Sequence, residues 1–345
     1  MDAIRFDDIS RDLEANASVE QCVELVDKLQ LRLRNAVVEA LTAVRSKAIA
    51  DRKSCPHCSG MSVHRHGRDA RGRQRFICVG ETGCGRSFGV LQGTVFHRMR
   101  KPEVWLAYAE RLLEGASLTR IKEDDIGICR HTAWRWRHRL LSAMAVEPQP
   151  ALSGIIEVDE TYFVKSFKGH RGWKRGQRPA ERPPRYRGSG ALLRGLSHEQ
   201  VPILTAVDRS RNHFDMVLER RRKAAIVGNL LPIIERGSVI CSDGYPAYKE
   251  LASRLASVHH RIDFEAPTVE EKAAGLPRGR KGALSLGRIN NWHEVMDTRF
   301  NRIHRGVSTK YLPHYLTLIS NKYAEKLHPK AALQRAMGVS AGALP

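Results

Sequence analysis

Residues 154–163 read Gly-Ile-Ile-Glu-Val-Asp-Glu-Thr-Tyr-Phe, a run rich in β-branched residues with partial alternation of apolar and polar side chains. This pattern predicts a half-buried strand. Three further stretches have a similar character and predict strands at 201–208, 213–218 and 238–243. Four helices are predicted around them, at 221–234, 245–256, 289–302 and 312–326. Three strands in succession, followed by helix, strand and helix, predict a mixed sheet with helices on its faces.

Two aspartates stand out in these apolar strands. Asp159 lies in the middle of the first strand, where a carboxylate is costly to bury unless it binds a metal or pairs with a base. Asp243 ends another apolar strand, directly before Gly244. Carboxylates on neighbouring strands can hold two Mg²⁺ ions about 3.5–4 Å apart; the alternative for each is an ordinary strand-end or turn aspartate. Glu157 and Glu160 flank Asp159, and we expect both to point to the opposite face of the sheet.

Four of the seven cysteines form two close pairs, Cys55-Pro-His-Cys58 and Cys78-x5-Cys84, with 19 residues between the pairs. This spacing predicts a zinc ribbon in which four thiolates hold a structural Zn²⁺. The alternative is four cysteines without a ligand. The second pair is wider than the usual CxxC, and three histidines are alternative ligands: His57, His64 and His66. An odd number of cysteines argues against a framework of disulfides.

The rest of the N-terminal part has two further patterns. Residues 1–50 have helical periodicity and predict a helical segment that packs on the chain or on a second copy. Residues 99–147 follow the ribbon at 51–98 and predict a helix-turn-helix, with a turn at Gly127 and a basic second helix. The alternative is an ordinary helical hairpin with a solvated basic face.

Basic residues in these elements are candidates for contact with DNA. The loop between the cysteine pairs has a dense basic run, which the alternative interpretation treats as solvated. A second basic stretch, the insertion at 165–194, separates the first two strands of the sheet. The candidates are Arg71, Arg73 and Arg75 in the loop, Arg130, His131, Arg135 and Arg137 in the second helix, and Lys174 and Arg175 in the insertion.

The charge of the whole chain agrees with a nucleic-acid partner. Its 345 residues carry 58 Lys and Arg against 37 Asp and Glu, a net charge of +21, and such a charge favours a polyanionic partner. Hydrophobic residues make up 42%, which is a globular composition. There is no run of about 18 apolar residues, so we expect no transmembrane helix. The acidic N-terminus predicts no secretory signal.

Residues 55 to about 325 resemble bacterial insertion-sequence transposases of the ISXO2-like type, which carry a zinc ribbon, a helix-turn-helix and a DDE-type, RNase H-like domain. The resemblance rests on stretches that occur in order: CPHC (55–58), RFICVGETGCGRSFGVLQGTVFH (75–97), ASLTRI (116–121), TAWRWRHRLL (132–141), IIEVDETYF (155–163), RGLSHEQVPILTAVDRS (194–210), CSDGYPAYKELA (241–252), INNWHEVMDTRF (289–300) and RGVSTKYLPHYL (305–316). It implies an α/β multidomain protein whose catalytic domain spans 151–330, followed by a tail at 331–345.

The resemblance also implies the site residues. Asp159 and Asp243 correspond to the first two catalytic carboxylates, which would hold a pair of Mg²⁺ or Mn²⁺ ions. At the third position, Ile289-Asn290-Asn-Trp-His293 matches the asparagine variant of the family, so Asn290 is the first choice and His293 and Glu294 are its rivals. An amide oxygen can ligate Mg²⁺ but brings no charge.

Two departures from the family pattern affect this third position. Asp297 stands where the family usually has lysine, and one extra residue precedes Gly306. Three nearby cations would contact the scissile or flanking phosphates: Arg299, Arg302 and Lys310.

The function implied is that of a metal-dependent polynucleotidyl transferase, which cuts at the terminal inverted repeats of its element and joins the 3′-OH to double-stranded target DNA. Two DNA ends must be joined, so a homodimer or higher assembly on DNA is expected, without a membrane partner. The expected location is the prokaryotic cytoplasm, at the nucleoid. The alternatives are a zinc-ribbon/helix-turn-helix regulator and a relative that binds DNA but has lost catalysis, with the uncharged Asn290 as its sign.

Overall fold

The computed structural model describes residues 11, 15–52, 54–81, 83–124, 126–144, 151–169, 190–193, 196–262, 280–281, 284–323 and 328–338. The chain divides into two compact units. The N-terminal unit comprises Met1–Met144 and Leu327–Pro345, and the sheet unit comprises Ala145–Lys326. Most of the basic insertion, including Lys174 and Arg175, lies outside the described residues. Within the described residues, every helix is too short or too polar to span a membrane.

The N-terminal unit begins with a long helix and a small sheet. Helix α1 spans Val19–Arg52, and its buried residues, Val38 and Leu41, lie in its second half. Strands β1 (Val63–Arg68), β2 (Gln74–Cys78) and β3 (Ser87–Gly89) form an antiparallel sheet in that order. Its core is small and centres on Phe76 and Phe88, whose ring centroids are 5.8 Å apart.

Three helices follow the small sheet. A 3-10 turn (Pro102–Val104) leads into α2 (Trp105–Leu113), followed by α3 (Leu118–Glu123) and α4 (Arg130–Met144). Ser117 caps α3, because its hydroxyl accepts the backbone N–H of Arg120 at 3.1 Å. Tyr108 and Trp136 meet edge to face, 5.4 Å apart, and join α2 to α4.

The C-terminal segment corrects the expected tail. Helix α9 (Pro329–Ala336) belongs to the N-terminal unit, where it packs against α2 and α4. Leu333 and Met337 are fully buried there, and the Met337 carbonyl accepts a hydrogen bond from Arg45 of α1. Burial of apolar side chains at a spacing of four residues stabilises this docking, so the segment is part of a core.

The sheet unit has five strands in the order β6-β5-β4-β7-β8. These strands are β4 (Ile155–Val164), β5 (Gln200–Asp208), β6 (His213–Val217), β7 (Val239–Ser242) and β8 (Val258–Arg261). The pairs β4–β5 and β5–β6 are antiparallel, whereas β4–β7 and β7–β8 are parallel. The predicted mixed sheet is therefore confirmed.

Helices pack against this sheet on both faces. Helices α5 (Lys223–Leu230) and α6 (Pro246–Arg254) share one hydrophobic core with Ile156 and Val158 of β4. Helices α7 (Gly287–Asp297) and α8 (Leu312–Tyr323) contact β4, β5 and β6. A π-helical turn (Thr298–Ile303) extends α7, and a 3-10 turn (Thr309–Tyr311) precedes α8. Short strands β9 (Arg280–Lys281) and β10 (Leu284–Ser285) pair just before α7.

Candidate active site and cysteine cluster

The two aspartates lie level with each other on neighbouring strands. Strands β4 and β7 run parallel, with Glu157 opposite Cys241. Asp159 lies two residues beyond Glu157, within β4, and Asp243 lies two residues beyond Cys241, directly after β7. Paired strands are about 4.8 Å apart, so the register places Asp159 and Asp243 side by side.

The surroundings of the two carboxylates differ. Asp159 is half-buried, and one of its oxygens accepts the backbone N–H of Glu160 at 2.8 Å. Asp243 is more exposed; its Oδ1 accepts the backbone N–H of Tyr245 at 3.1 Å, and its Oδ2 lies 3.5 Å from Nη2 of Arg221. Burial, reinforced by the negative charges of Asp243 and Glu160, raises the pKa of Asp159 to about 7. A cation bound by the two carboxylates would relieve that repulsion.

The expectation for the two flanking glutamates is wrong for Glu157 and correct for Glu160. Side chains two residues apart share a face of a strand, so Glu157 lies on the same face as Asp159, towards α7. Its oxygens accept the backbone N–H groups of Arg288 and Ile289 at 2.9 and 3.1 Å and an N–H of Arg209 at 2.7 Å. A buried carboxylate of β4 therefore caps the first turn of α7.

Glu160 points to the other face, towards α5 and α6. It accepts the hydroxyl of Tyr248 at 2.7 Å and an N–H of Arg221 at 3.1 Å. The guanidinium of Arg221 also lies 3.8 Å above the ring centroid of Tyr245. These contacts hold Arg221 between Glu160 and Asp243, which places a cation beside the candidate site.

The three candidates for the third position lie on helix α7. Asn290 and Glu294 are exposed, whereas His293 is half-buried, and its Nε2 has no hydrogen-bond partner among the described residues. Burial lowers the pKa of His293 to about 4, so it is neutral at pH 7. Residues three and four apart share a side of a helix, so all three candidates lie on one side of α7. Glu157 connects their helix to the strand of Asp159.

A half-buried aspartate absent from the sequence-based site fixes the same helix. Asp215 of β6 accepts hydrogen bonds from Thr205 at 3.1 Å, from the indole N–H of Trp292 at 2.9 Å and from Ser320 at 3.1 Å. Strand pairing puts Asp159, Thr205 and Asp215 in one row across the sheet. Trp292 lies on α7 and Ser320 on α8, so Asp215 anchors both helices to the sheet.

The four cysteines of the two pairs lie together in the N-terminal unit. All four sulfurs lie within 4.8 Å of one another; Cys55 and Cys84 are 3.8 Å apart, and Cys58 and Cys78 are 3.7 Å apart. A tetrahedral Zn²⁺ with Zn–S bonds of about 2.3 Å requires sulfurs about 3.8 Å apart. The backbone N–H of Gly60 lowers the pKa of Cys58 to about 7. The cluster thus fits a tetrahedral, thiophilic metal ion.

The candidate DNA-contacting residues fall into three groups. Arg71, Arg130, His131, Arg135, Arg302 and Lys310 are exposed. Arg73, Arg75 and Arg299 are partly buried; Arg73 pairs with Asp69 at 2.7 Å, and Arg75 donates to Ser87 at 2.8 Å. Arg137 is only 1% exposed and donates to the carbonyl of Ala116. The expectation that Arg137 contacts DNA is therefore wrong, because its guanidinium stabilises the packing of α4 against the end of α2.

Removing the charge of Glu157 is expected to destabilise the sheet unit. Glu157→Gln retains the size of the side chain but replaces one acceptor oxygen by an NH2 group, which only donates. The single remaining oxygen cannot accept both the N–H groups of α7 and the N–H of Arg209. We expect the free energy of unfolding to fall by about 2 kcal/mol, below the ~3–5 kcal/mol of a fully buried pair because Arg209 is partly solvated. Urea unfolding would measure the change. Glu219→Gln is the control, because Glu219 is exposed and its substitution should change the free energy of unfolding by less than about 0.5 kcal/mol. Equal changes in the two variants would contradict the capping role of Glu157.

Comparisons with known proteins add two findings. Residues 151–323 match the family model described as ISXO2-like transposase domain. The chain is also 26% identical over 265 residues to an uncharacterized protein in transposable element ISH50 of Halobacterium salinarum, a match that covers 76% of this chain and 82% of that protein. The family match spans the strands that carry both aspartates and the helix of Asn290.

Proposed function

Because this chain belongs to the ISXO2-like transposase family, whose members cut and rejoin DNA, we propose that it binds the terminal inverted repeats of an insertion sequence and performs metal-dependent strand cleavage and strand transfer. The observation that carries the proposal is the pair of carboxylates, Asp159 and Asp243, level on adjacent strands of the family's domain. In this proposal the five-stranded sheet is the RNase H-like catalytic domain.

Asp159, Asp243 and Asn290 would hold the divalent cations through their side-chain oxygens. When bound, two Mg²⁺ ions stabilise the charge on both the attacking and the leaving oxygen of a phosphodiester displacement. The protein supplies the rest by positioning. Glu157 and Asp215 fix helix α7 against the sheet, and Arg221 offers a cation next to Asp243 for a phosphate oxygen.

Asn290 is proposed as the third ligand because it lies in the first turn of α7, next to the residue whose N–H is held by Glu157. His293 and Glu294 remain its rivals on the same side of the helix. Asn290→Ala, His293→Ala and Glu294→Gln would separate the three, since only the true ligand should be needed for cleavage at saturating DNA.

Metal affinity is expected to depend on pH through Asp159. A proton and a cation compete for its carboxylate, whose pKa is about 7, so the apparent Mn²⁺ affinity should rise up to about tenfold from pH 5.5 to 6.5 and level off above pH 8. The raised pKa also makes the folding stability of the metal-free protein depend on pH. The contribution of Asp159 to the free energy of unfolding is fully present below pH 4 and is lost as the pH rises through 7. Calorimetric titration of the full chain would measure the affinity. An affinity that is constant from pH 5.5 to 8 would contradict this assignment.

In the N-terminal unit we propose a zinc ribbon at the four cysteines and a helix-turn-helix formed by α3 and α4. Their role would be to read the DNA ends, with Arg130, His131 and Arg135 on the second helix and Arg71 on the ribbon as contacts. The net charge of +21 would supply the salt-dependent part of the affinity. Arg73 and Arg75 would contribute after rearrangement of their present contacts, and Arg299, Arg302 and Lys310 would contact DNA near the active site. A homodimer or higher assembly on DNA, at the nucleoid, completes the proposal.

The test is a cleavage assay on duplex DNA that carries the terminal repeats of the element. We expect nicking in Mg²⁺ or Mn²⁺, none in EDTA, and joining of the new 3′-OH to a second duplex. Binding without cleavage in either metal would favour the second candidate, a DNA-binding relative without catalysis. That alternative draws its support from Asn290, because an amide brings no charge to the site.

A further inference from the structure

A cavity of about 560 Å³ lies within the N-terminal unit, between the chain that follows the small sheet and one face of α4. The helix contributes side chains three and four positions apart, so they line one wall. We call this cavity the linker cleft. Its described lining has no carboxylate and five cationic side chains: Arg98, Arg100, Lys101, Arg135 and Arg139.

Two of the cations tie the walls of the linker cleft together. Lys101 donates to the carbonyl of Gly127 in the turn before α4, and Arg139 of α4 donates to the carbonyl of His97 at 2.7 Å. The backbone bends sharply here, since Arg98 and Lys101 both have left-handed φ angles, of 60° and 58°. Such angles are uncommon outside glycine, and the hydrogen bonds stabilise this bent conformation.

Among the residues that the structure describes, the remaining cations of the cleft have no partner of opposite charge. Within the described residues, Arg98, Arg100 and Arg135 form no ion pair. Their fields act on their neighbours: after burial itself, Arg98 lowers the pKa of His97, and Arg135 lowers that of Arg139. Like charges held together in a partly closed cavity repel one another, and a bound polyanion would relieve that repulsion.

We propose that the linker cleft binds backbone phosphates of duplex DNA, with Arg98, Arg100 and Arg135 as the phosphate ligands. Buried Met99 and Trp136 provide an apolar surface for the adjacent deoxyribose. The inference rests on the proposed function, and it adds a contact from the chain between the small sheet and α2. Phosphate contacts orient a protein on DNA without reading its sequence, so the cleft would fix how α4 approaches the base edges.

A charge-matched pair of double variants tests the proposal in the full chain. Arg98→Gln/Arg100→Gln removes two charges from the cleft, and Lys28→Gln/Arg32→Gln removes two exposed charges from α1. Each phosphate contact contributes a slope of about −0.9 to log K against log salt. We therefore expect the slope of log K against log salt to be shallower by about 1.8 in the cleft variant. Its affinity for DNA at 0.15 M salt should fall roughly 30-fold, and by the same factor on terminal-repeat and unrelated duplexes. The same slope in both variants would overturn the proposal.

A second measurement needs no variant, which keeps the proposal testable if the cleft variant folds poorly. Cys129 is exposed and lines the cleft, so its alkylation rate, followed by peptide mass, reports whether the cleft is covered. We expect duplex DNA to slow this alkylation severalfold, and inorganic phosphate at the same ionic strength to leave it unchanged. DNA binding without protection would overturn the proposal, as would equal protection by inorganic phosphate, which would indicate a small-anion pocket.

These outcomes are separable from the fate of the proposed function. If the wild type cleaves its terminal repeats but DNA leaves Cys129 unprotected, the linker cleft is wrong and the transposase proposal stands. If DNA protects Cys129 but no cleavage occurs in any metal, the cleft stands and the catalytic proposal fails.

Discussion

Asp159→Asn is expected to lower the rate of metal-dependent cleavage at least a thousandfold while leaving affinity for the DNA end within about twofold. The amide keeps the size of the side chain and can still accept the N–H of Glu160, but it lacks the charge that would hold a cation opposite Asp243. A thousandfold loss corresponds to about 4 kcal/mol of transition-state stabilisation. Single-turnover cleavage and fluorescence anisotropy on the same DNA would measure the two quantities.

The folding of this variant provides an internal check. Burial penalises the charged form of Asp159, so without metal at pH 8 the neutral variant should be at least as stable as the wild type. Asp297→Asn is the matched control, because it makes the same substitution at an exposed carboxylate of α7. Retained cleavage by Asp159→Asn would show that the active site is assigned to the wrong residue. A similar loss in Asp297→Asn would show that the effect is not specific to the site.

Cys78→Ser is expected to remove bound zinc and to unfold the small sheet of the N-terminal unit. Cys78 is fully buried, and the hydrophobic core around it is small, with Val63, Phe76 and Phe88 as its main members. Structural Zn²⁺ contributes about 10–16 kcal/mol in small zinc modules, far more than such a core can replace. We expect zinc content to fall from one ion per chain to near zero, and affinity for the DNA end to fall at least 100-fold.

Limited proteolysis would locate the damage, with new cleavage confined to residues 51–98 and the sheet unit still protected. Cys22→Ser is the matched control, since Cys22 lies on α1 outside the cluster and its loss should change neither zinc content nor binding. A Cys78→Ser protein that has lost its zinc but remains folded at 51–98 would contradict a structural role for the metal.

The apolar strands were accessible from the sequence, whereas the polar and short elements were not. Strands β4 and β7 are rich in β-branched residues, and both are found close to the predicted bounds. Strand β8 was missed because Val258–Arg261 is a polar, partly exposed edge strand with little apolar signal. Helix α9 was missed because an eight-residue amphipathic stretch is too short to distinguish from a tail.

At the candidate site, sequence reasoning proposed the two aspartates but not the residues that position them. Register between strands brings Asp159 and Asp243 level, and that register follows from pairing over several residues. The roles of Glu157 and Asp215 depend on helices more than 70 residues away in the sequence, so no local pattern contains them. The sequence offers one indication of such a residue, which is a carboxylate within a predicted strand. Asp215 in His-Phe-Asp-Met-Val is an example.

The return of α9 to the N-terminal unit has a consequence for synthesis. The ribosome finishes residues 145–326 before it releases the helix that completes the first unit, so the unit that begins first is completed last. A frameshift or early stop after residue 326 would leave the sheet intact and expose the hydrophobic surfaces of α2 and α4 that α9 covers. Chains truncated there would therefore fail through an incomplete N-terminal unit with exposed apolar surface, and we expect them to aggregate.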